Sequence, residues 1–192
     1  MNKKVSFYFD YASPYAFIAN SVLSQYLDIK NVEFKPIYLR GLETFSKAMP
    51  FVPNKLRYIM MDLQRCAKED GLTVKMPSNF PINGLYACRG AVFTLRNGGF
   101  EKYHEAVFKA VWVEDRNISD KEVLIDVAVA SGQEKAQFIA GIEADGIKEK
   151  LKIDTAEAQK EGLFGVPSFV VDGELFWGRD RMNLVRQKMK LL

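Results

Sequence analysis

The sequence predicts an α/β protein in which a small β-sheet is interrupted by a large all-helical insertion. Three observations carry this prediction. A strand, a helix and a second strand open the chain within residues 5–39, and nearly all of residues 54–161 has the apolar spacing of helices. Two short strands joined by a tight turn, and then a last helix, close the chain. The order describes one sheet assembled from both ends of the chain.

The opening unit is read from its apolar periodicity. Val5, Phe7 and Phe9 alternate in the period of a strand, and residues 14–27 then carry apolar side chains at helical spacing. Residues 32–39 read as a second strand. A strand, helix and strand in this order place two parallel strands side by side.

The middle of the chain is predicted to consist of several helices. The first has an apolar face formed by Leu56, Ile59, Met60, Leu63 and Ala67, and others are expected at residues 85–96, 103–113 and 119–130. Ser119 and Glu122 have the spacing of a capping box, and Gly98-Gly99 ends the helix before them. The loop at residues 73–83, rich in Pro and Asn, is of a kind that often lines sites.

The chain returns to sheet after Gly162. Residues 168–171 and 174–177 read as strands joined by a turn at Asp172-Gly173, and a last helix is expected from about Asp180. The whole order predicts a thioredoxin-like domain formed by residues 1–53 and 162–192, with a helical domain at residues 54–161 that roofs the start of the first helix.

Composition and charge argue against two classes of partner, nucleic acids and membranes. The 192 residues are 48% hydrophobic and 27% charged with a net charge of +3, which is too small to indicate a nucleic-acid partner. No segment approaches the roughly 20 apolar residues that cross a bilayer, and Asp10 ends the first apolar stretch too early for a secretory signal. We therefore expect a cytoplasmic protein without a membrane partner.

We expect neither a metal site nor chemistry at a cysteine of this chain. Cys66 and Cys88 lack ligand spacing and read as small buried residues of a reducing compartment, and His104 reads as a surface or helix-packing histidine. No phosphate-binding glycine motif occurs in the sequence.

Ser13 is the best candidate for chemistry. Ser is a preferred N-cap, Pro14 suits the first helical position, and the unpaired amides of a first helical turn favour an anion together with the helix dipole. Its hydroxyl could donate a hydrogen bond to a thiolate of a bound ligand, because the chain has no sulfur at this point. The alternative is that Ser13-Pro14 only caps a helix.

Four separated segments carry a resemblance to known proteins. They are Phe9-Asp10-Tyr11-Ala12-Ser13-Pro14-Tyr15; Asn54-Lys55 followed by Tyr58 and Asp62-Leu63-Gln64-Arg65; Ala110-Val111-Trp112; and Phe164-Gly165-Val166-Pro167-Ser168 with Phe176-Trp177-Gly178-Arg179-Asp180-Arg181. Together they resemble the 2-hydroxychromene-2-carboxylate isomerases and the kappa-class glutathione transferases, both relatives of the DsbA oxidoreductases. Where thioredoxin-like proteins have a Cys-x-x-Cys pair, this chain has Ser13 and Ala16, so a dithiol reaction is excluded.

The resemblance implies a glutathione site. Ser13 would hydrogen-bond the glutathione sulfur as a thiolate, and Tyr15 would contact the same ligand. Val166-Pro167 occupies the position of a cis-proline, which would leave the Val166 backbone to pair with the cysteinyl backbone of glutathione. The remaining implied contacts are Trp177, Gly178, Arg179 and Asp180, with free amides for the γ-glutamyl carboxylate and Asp180 for its ammonium or as a helix N-cap.

The second substrate is less well defined. The resemblance points to Asn54, Lys55 and Asn79, although Lys and Asn in loops are usually only solvated. The isomerases have a Lys after the second strand where this chain has Gly41-Leu42-Glu43, with Lys47 the nearest substitute. The kappa transferases have a longer connection there, with an Asn that has no clear counterpart here.

Three functions follow from these observations. The first is a glutathione-dependent isomerase acting on 2-hydroxychromene-2-carboxylate or a related unsaturated aromatic acid. The second is a kappa-like transferase or peroxidase, and the third is a non-catalytic DsbA-like binding scaffold. The resemblance also allows a homodimer. An aromatic group suits a flat substrate pocket, or simply core packing: Phe9, Tyr11, Tyr15, Phe51 and Trp112.

Overall fold

The computed structural model describes residues 4–46 and 52–191. Its four-stranded sheet has the order β2-β1-β3-β4. The strands are β1 (Val5–Phe9), β2 (Val32–Pro36), β3 (Ser168–Val171) and β4 (Glu174–Trp177). Strands β1 and β2 are parallel, whereas β3 is antiparallel to both β1 and β4. The prediction of one thioredoxin-like sheet built from both ends of the chain is confirmed.

Aromatic side chains form the centre of this sheet. Phe7 pairs with Phe34 on β2 and with Phe169 on β3. The Phe7 and Phe169 rings stack with their centroids 5.0 Å apart, and both side chains are fully buried. These non-local ring contacts hold the first and last parts of the chain together.

Helices account for most of the remaining described residues. They are α1 (Pro14–Ser21), α2 (Leu23–Tyr26), α3 (Glu43–Ser46), α4 (Pro53–Glu69), α5 (Leu85–Asn97), α6 (Phe100–Trp112), α7 (Lys121–Ala130), α8 (Lys135–Glu143), α9 (Asp145–Lys160) and α10 (Met182–Leu191). Short 3₁₀ turns lie at Ile29–Asn31, Leu39–Gly41 and Arg179–Arg181. Within the described ranges, no helix is long and apolar enough to cross a membrane.

Two tight turns confirm local predictions. Gly98 and Gly99 have φ angles of +96° and +82°, so a left-handed backbone separates α5 from α6. Asp172 and Gly173 have φ angles of +50° and +74° in the turn between β3 and β4. Positive φ at both central positions is what the type I′ turn of a two-residue hairpin requires.

Several boundaries differ from the predictions. The helix expected over residues 14–27 is interrupted at Val22, whose φ of −111° and ψ of 7° end α1. The second strand ends at Pro36, after which the chain enters the turn Leu39–Gly41. The last helix begins at Met182, because a 3₁₀ turn comes first. Met60 is 45% exposed and does not belong to the buried face of α4.

The predicted capping box at Ser119 and Glu122 is wrong. Asp120 is the N-cap of α7, and its carboxylate accepts a hydrogen bond of 2.9 Å from the amide of Glu122. A carboxylate at this position also interacts favourably with the helix dipole. The Ser119 hydroxyl instead accepts a hydrogen bond of 2.9 Å from the Asn83 amide, which fixes the end of the loop before α5.

Helix α9 joins the helical block to the sheet. It packs against α5 and α8 and also against β2. The Tyr38 amide donates to Thr155 Oγ1 at 3.0 Å, and the Tyr8 hydroxyl donates to Glu161 Oε2 at 2.9 Å. The division of the chain at residues 53, 54, 161 and 162 stays a prediction.

Candidate active site

Ser13 caps the first helix. Its backbone is extended, with φ of −95° and ψ of 117°, and its Oγ accepts a hydrogen bond of 3.2 Å from the Ala16 amide. The Ser13 amide in turn donates to the Asp10 carbonyl at 3.0 Å. Pro14 occupies the first helical turn, as expected. The hydroxyl is thus held in one place at the positive end of α1.

The same hydroxyl reaches the other end of the chain. Ser13 Oγ donates a hydrogen bond of 3.1 Å to the carbonyl of Val166. The peptide bond between Val166 and Pro167 is cis, as the family resemblance implies. Among the residues that the structure describes, the Val166 amide has no hydrogen-bond partner. Within residues 4–46 and 52–191, the Val166 N–H is therefore unpaired and the Val166 carbonyl accepts a hydrogen bond from Ser13 alone.

A buried carboxylate stabilises the turn that carries Ser13. Asp10 is 1% exposed and accepts hydrogen bonds from the amides of Ala12 (2.9 Å) and Leu39 (2.7 Å). Burial raises the pKa of Asp10, and these two amides oppose the rise. A Cβ at Gly84 would lie 2.1 Å from Asp10 Oδ1, so only glycine fits at the start of α5. Asp10 was not among the predicted site residues, and its signal in the sequence is a single carboxylate directly after the apolar strand Val5–Phe9.

A cavity of about 440 Å³ opens beside the cis peptide. It brings together all of the predicted glutathione contacts except Ser13: Tyr15, Val166, Pro167, Trp177, Gly178, Arg179 and Asp180. Ser13 touches this wall through the Val166 carbonyl. Three further lining residues were given no role by the sequence analysis: Tyr58, Asp62 and Cys66. They lie on α4, so the helical block supplies one wall of the cavity.

Asp62 is the centre of the hydrogen bonds on that wall. Its carboxylate accepts from the Tyr15 hydroxyl at 2.8 Å, from the Tyr58 hydroxyl at 3.4 Å and from the Cys66 thiol at 3.9 Å. Burial and the neighbouring Asp62 raise the pKa of Tyr15, so its hydroxyl stays a donor. Cys66 is half-buried, which corrects the expectation of a buried cysteine, whereas Cys88 is fully buried. Burial is the main cause that raises the pKa of the Cys66 thiol, and the negative charge of Asp62 raises it further.

The arginine of the cavity is already paired. Arg179 Nε donates to Asp70 Oδ2 at 3.0 Å, its Nη2 donates to the same atom, and its Nη1 donates to Glu69 Oε2 at 3.2 Å. The guanidinium therefore connects the turn after β4 to the end of α4. A contact from Arg179 to glutathione stays a prediction.

The segment beside Arg179 forms the rim of the cavity. The Gly178 amide donates to the Pro167 carbonyl at 2.9 Å, and Gly178 has a φ of +107°. Asp180 is exposed and forms an ion pair of 3.1 Å with Arg181. Phe164 and Trp177 are 45% and 51% exposed, with ring centroids 4.9 Å apart.

The predicted second-substrate residues lie outside this cavity. Asn54 and Lys55 are exposed in the first turn of α4. The side-chain amide of Asn79 donates to Asn117 Oδ1, and its own Oδ1 is buried without a hydrogen-bond partner among the described residues. Their roles stay predictions. Lys47 and Phe51 lie outside the described residues.

Most of the predicted aromatic group belongs to the core. Phe9, Tyr11 and Trp112 are fully buried, and the Trp112 indole N–H donates to the Tyr11 carbonyl at 2.9 Å. Of the four described members of this group, Tyr15 alone lines the cavity beside Val166. Core packing therefore accounts for the first three.

His104 is a buried packing residue of α6, and the surface interpretation is wrong. Its Nε2 lies 2.9 Å from Asn20 Oδ1, an acceptor, so this nitrogen carries the proton. Its Nδ1 then accepts from the Tyr11 hydroxyl at 3.0 Å. Burial lowers the pKa of His104 to about 3. The imidazole is neutral and fully hydrogen-bonded in the core.

The fold and site define a class of protein. A four-stranded mixed sheet with a helical insertion carries the Ser13 hydroxyl at the start of α1, hydrogen-bonded to the carbonyl that precedes a cis-proline. The family model described as a DSBA-like thioredoxin domain matches residues 4–190. The chain belongs to this family.

Particular relatives are similar over nearly the whole chain. Glutathione S-transferase kappa 1 of Rattus norvegicus is 27% identical over 198 residues, covering 93% of this chain and 87% of the relative. The 2-hydroxychromene-2-carboxylate isomerase of Pseudomonas putida is 26% identical over 191 residues, covering 96% and 93%. A solved structure of a 2-hydroxychromene-2-carboxylate isomerase superposes with a TM-score of 0.83 at 26% identity, covering 97% of this chain and 94% of the other.

Proposed function

We propose that the protein is a glutathione-dependent isomerase of 2-hydroxychromene-2-carboxylate or a related unsaturated aromatic acid. One observation carries the proposal: the Ser13 hydroxyl lies at the start of α1, hydrogen-bonded to the carbonyl of a cis X-Pro pair at the wall of a cavity. Relatives named as such isomerases cover nearly the whole chain, which supports the same reading.

The residues beside the cavity fit glutathione. The Val166 amide, unpaired within the described part of the chain, and its carbonyl can pair with a ligand backbone in the manner of an added strand. A ligand N–H that donates to the Val166 carbonyl replaces the Ser13 hydroxyl there. The hydroxyl is then free to donate to a sulfur atom. Binding the backbone and stabilising the thiolate are thereby coupled.

The stabilisation that Ser13 can provide is of the required size. A free thiol has a pKa of about 8.5, and lowering it by about two units requires roughly 2.7 kcal/mol of preference for the thiolate. A charge-assisted hydrogen bond contributes about 1.5–3 kcal/mol, and a helix N-terminus adds about 0.3–1 kcal/mol. No separate base is needed, which agrees with the absence of the neutral, buried His104 from this cavity.

When bound, glutathione would supply a sulfur nucleophile for reversible addition to the unsaturated acid, which would permit rotation about the former double bond. The role of the protein is to position two groups: the Ser13 hydroxyl for the ligand sulfur, and the Val166 backbone for the ligand backbone. We keep Asn54, Lys55 and Asn79 as candidates for the second substrate. A Lys at the cleft would orient the substrate carboxylate as a point charge.

Absorbance spectroscopy tests this function. The protein is mixed with 2-hydroxychromene-2-carboxylate, with and without glutathione, and the spectrum is followed in time. We expect a change in the spectrum that requires both the protein and glutathione. The concentration of glutathione should stay constant during the reaction. A spectrum that is unchanged by glutathione would exclude the specific reaction.

A kappa-like transferase or peroxidase is the second candidate. It is favoured by the similarity to the kappa 1 transferase, at 27% identity against 26% for the Pseudomonas putida isomerase. Conjugation of a halo-dinitrobenzene that consumes glutathione and is lost in Ser13→Ala would select this function. A non-catalytic scaffold instead predicts no glutathione binding by calorimetry.

A further inference from the structure

A second cavity, of about 470 Å³, lies between α5, α9 and the turn that follows β2. Among the described residues, it shares no lining residue with the cavity beside Val166. Tyr38, Leu85 and Leu151 contribute apolar surface to it. Its charged lining consists of four cationic side chains against one carboxylate: Arg89, Lys148, Lys152 and Lys160 against Glu149. An excess of positive charge in a cavity attracts anionic ligands.

Arg89, on α5, is the least exposed of these cations. Its side chain is 16% exposed, and its Nε is buried without a hydrogen-bond partner within residues 4–46 and 52–191. Its guanidinium carbon lies 5.2 Å from the centroid of the Tyr86 ring, a cation–π contact that supplies no hydrogen-bond acceptor. Buried donors of a charged group are normally paired, because leaving them unpaired is costly. Arg89 therefore lacks an acceptor at the wall of this cavity.

The carboxylate beside Arg89 does not satisfy it. Glu143 Oε2 lies 3.8 Å from Arg89 Nη1 and 3.7 Å from Lys148 Nζ, and both distances are too long for a hydrogen bond. The other oxygen of Glu143 accepts a hydrogen bond from Lys121. Lys148 also contacts Asp145 at 3.4 Å, but that carboxylate is fully exposed and such pairs contribute little. One negative charge is thus shared among three cations.

The excess of charge favours a phosphate group over a carboxylate. Lys160 has no carboxylate oxygen within 4.0 Å among the described residues. Lys152 lies 3.6 Å from Glu149, and both side chains are mostly exposed. A phosphate monoester carries about two negative charges at pH 7 and three acceptor oxygens, whereas a carboxylate carries one charge. The planar fork of an arginine binds two phosphate oxygens at once.

We propose that this cavity binds a small phosphate monoester with an apolar body, and that Arg89 holds its phosphate group. The phosphate oxygens accept from guanidinium donors that the protein leaves unpaired. Lys148 and Lys160 add attraction as point charges. The apolar body of the ligand contacts the surface formed by Tyr38 and Leu85. The site goes beyond the proposed glutathione function, since it uses none of the residues of the other cavity.

Calorimetric titration with phenyl phosphate tests the site. The proteins are the unaltered chain, Arg89→Gln and the matched control Arg96→Gln, which removes the same charge from the same helix. Arg96 does not line this cavity, and it donates to the Gly146 carbonyl at 3.3 Å. We expect Arg89→Gln to weaken binding by about 10- to 100-fold and Arg96→Gln to weaken it by less than about 2-fold.

Two further probes test the chemistry of the ligand. Benzoate has the ring but a single negative charge, and inorganic phosphate has the charge but no apolar body. Each should bind to the unaltered protein at least about 5-fold more weakly than phenyl phosphate.

A second variant guards against a folding defect in Arg89→Gln. Ala156 is exposed on α9 and lines the cavity, and glutamate is a good helix former, so Ala156→Glu should fold normally. Its carboxylate should repel the ligand and weaken phenyl phosphate binding by about 3- to 10-fold. Ser13→Ala should leave this binding unchanged, because Ser13 does not line the cavity.

Four results would overturn the proposal. Phenyl phosphate that does not bind to the unaltered protein excludes the site. Equal weakening in Arg89→Gln and Arg96→Gln would show only an effect of net charge. Benzoate that binds as tightly as phenyl phosphate would contradict the assignment to phosphate. Loss of binding in Ser13→Ala would place the anion at the start of α1 instead.

Discussion

His104 is predicted to make the protein sensitive to acid. It is the single histidine of the sequence, it is 4% exposed, and burial lowers its pKa to about 3 from the ordinary 6.5. In the folded state the ring stays neutral between Tyr11 and Asn20. In the unfolded state it takes up a proton at its ordinary pKa. Acid therefore favours unfolding.

The magnitude follows from proton linkage. Because the folded pKa is the lower one, stability is lost as the pH falls below 6.5, and the loss is complete near pH 3. Each pH unit corresponds to about 1.4 kcal/mol, so the whole interval amounts to roughly 5 kcal/mol. That is comparable with the total stability of many domains, about 5–15 kcal/mol. The pKa of Asp10 is raised in the folded state, so the folded protein takes up this proton at a higher pH than the unfolded chain does. As the pH falls toward the ordinary value of 3.8, protonation of Asp10 therefore favours the folded state, which is opposite to the effect of His104.

The assay compares urea unfolding of the unaltered protein with that of His104→Gln over a range of pH. The variant lacks the packing and hydrogen bonds of the imidazole at every pH, so the readout is the difference in pH dependence, in which the contribution of Asp10 cancels. Between about pH 6 and about pH 4.5 the unaltered protein should lose about 1.4 kcal/mol per pH unit more than the variant. Parallel curves would refute the reasoning, and so would a histidine NMR resonance of the folded protein that titrates near 6.5.

Two further variants test the account of the site. Ser13→Ala should lower turnover by about 10- to 100-fold. The control Ser21→Ala should leave turnover unchanged, since the Ser21 hydroxyl donates to the Phe17 carbonyl of the same helix. Steady-state assays that find the two variants alike would exclude the role of Ser13. Gly84→Ala should reduce stability by about 1–3 kcal/mol in thermal unfolding, because its Cβ would meet Asp10 Oδ1 at 2.1 Å. Its control Gly146→Ala, with no atom within 4 Å, should be neutral or slightly stabilising.

Much of the fold could be predicted because its signals are local. Strands β3 and β4 and their turn follow from alternation and from Asp172-Gly173, and the structure reproduces their bounds. Ser13 as an N-cap followed by Pro14 is likewise a local pattern. The failures also have local causes. Asp120 and Ser119 are both acceptable N-caps, and the competing hydrogen bond from Asn83 decides between them.

The site could be predicted only in part because much of it depends on long-range contacts. The hydrogen bond between Tyr15 and Asp62 joins residues 47 positions apart on two helices. Whether Cys66 faces the core or the cavity depends on how α4 lies against α1, which periodicity alone does not determine. The pairing of Arg179 with Asp70 spans 109 positions. None of these contacts has a signature in the spacing of residues.

Titration of the glutathione thiol in the complex tests the central claim most directly. The thiolate is followed by its ultraviolet absorbance as the pH is raised, with free glutathione as the reference. We expect the thiol pKa in the complex to lie about two units below the free value of about 8.5, and to return toward that value in Ser13→Ala. A bound thiol that ionises at the free value would contradict the assignment of Ser13.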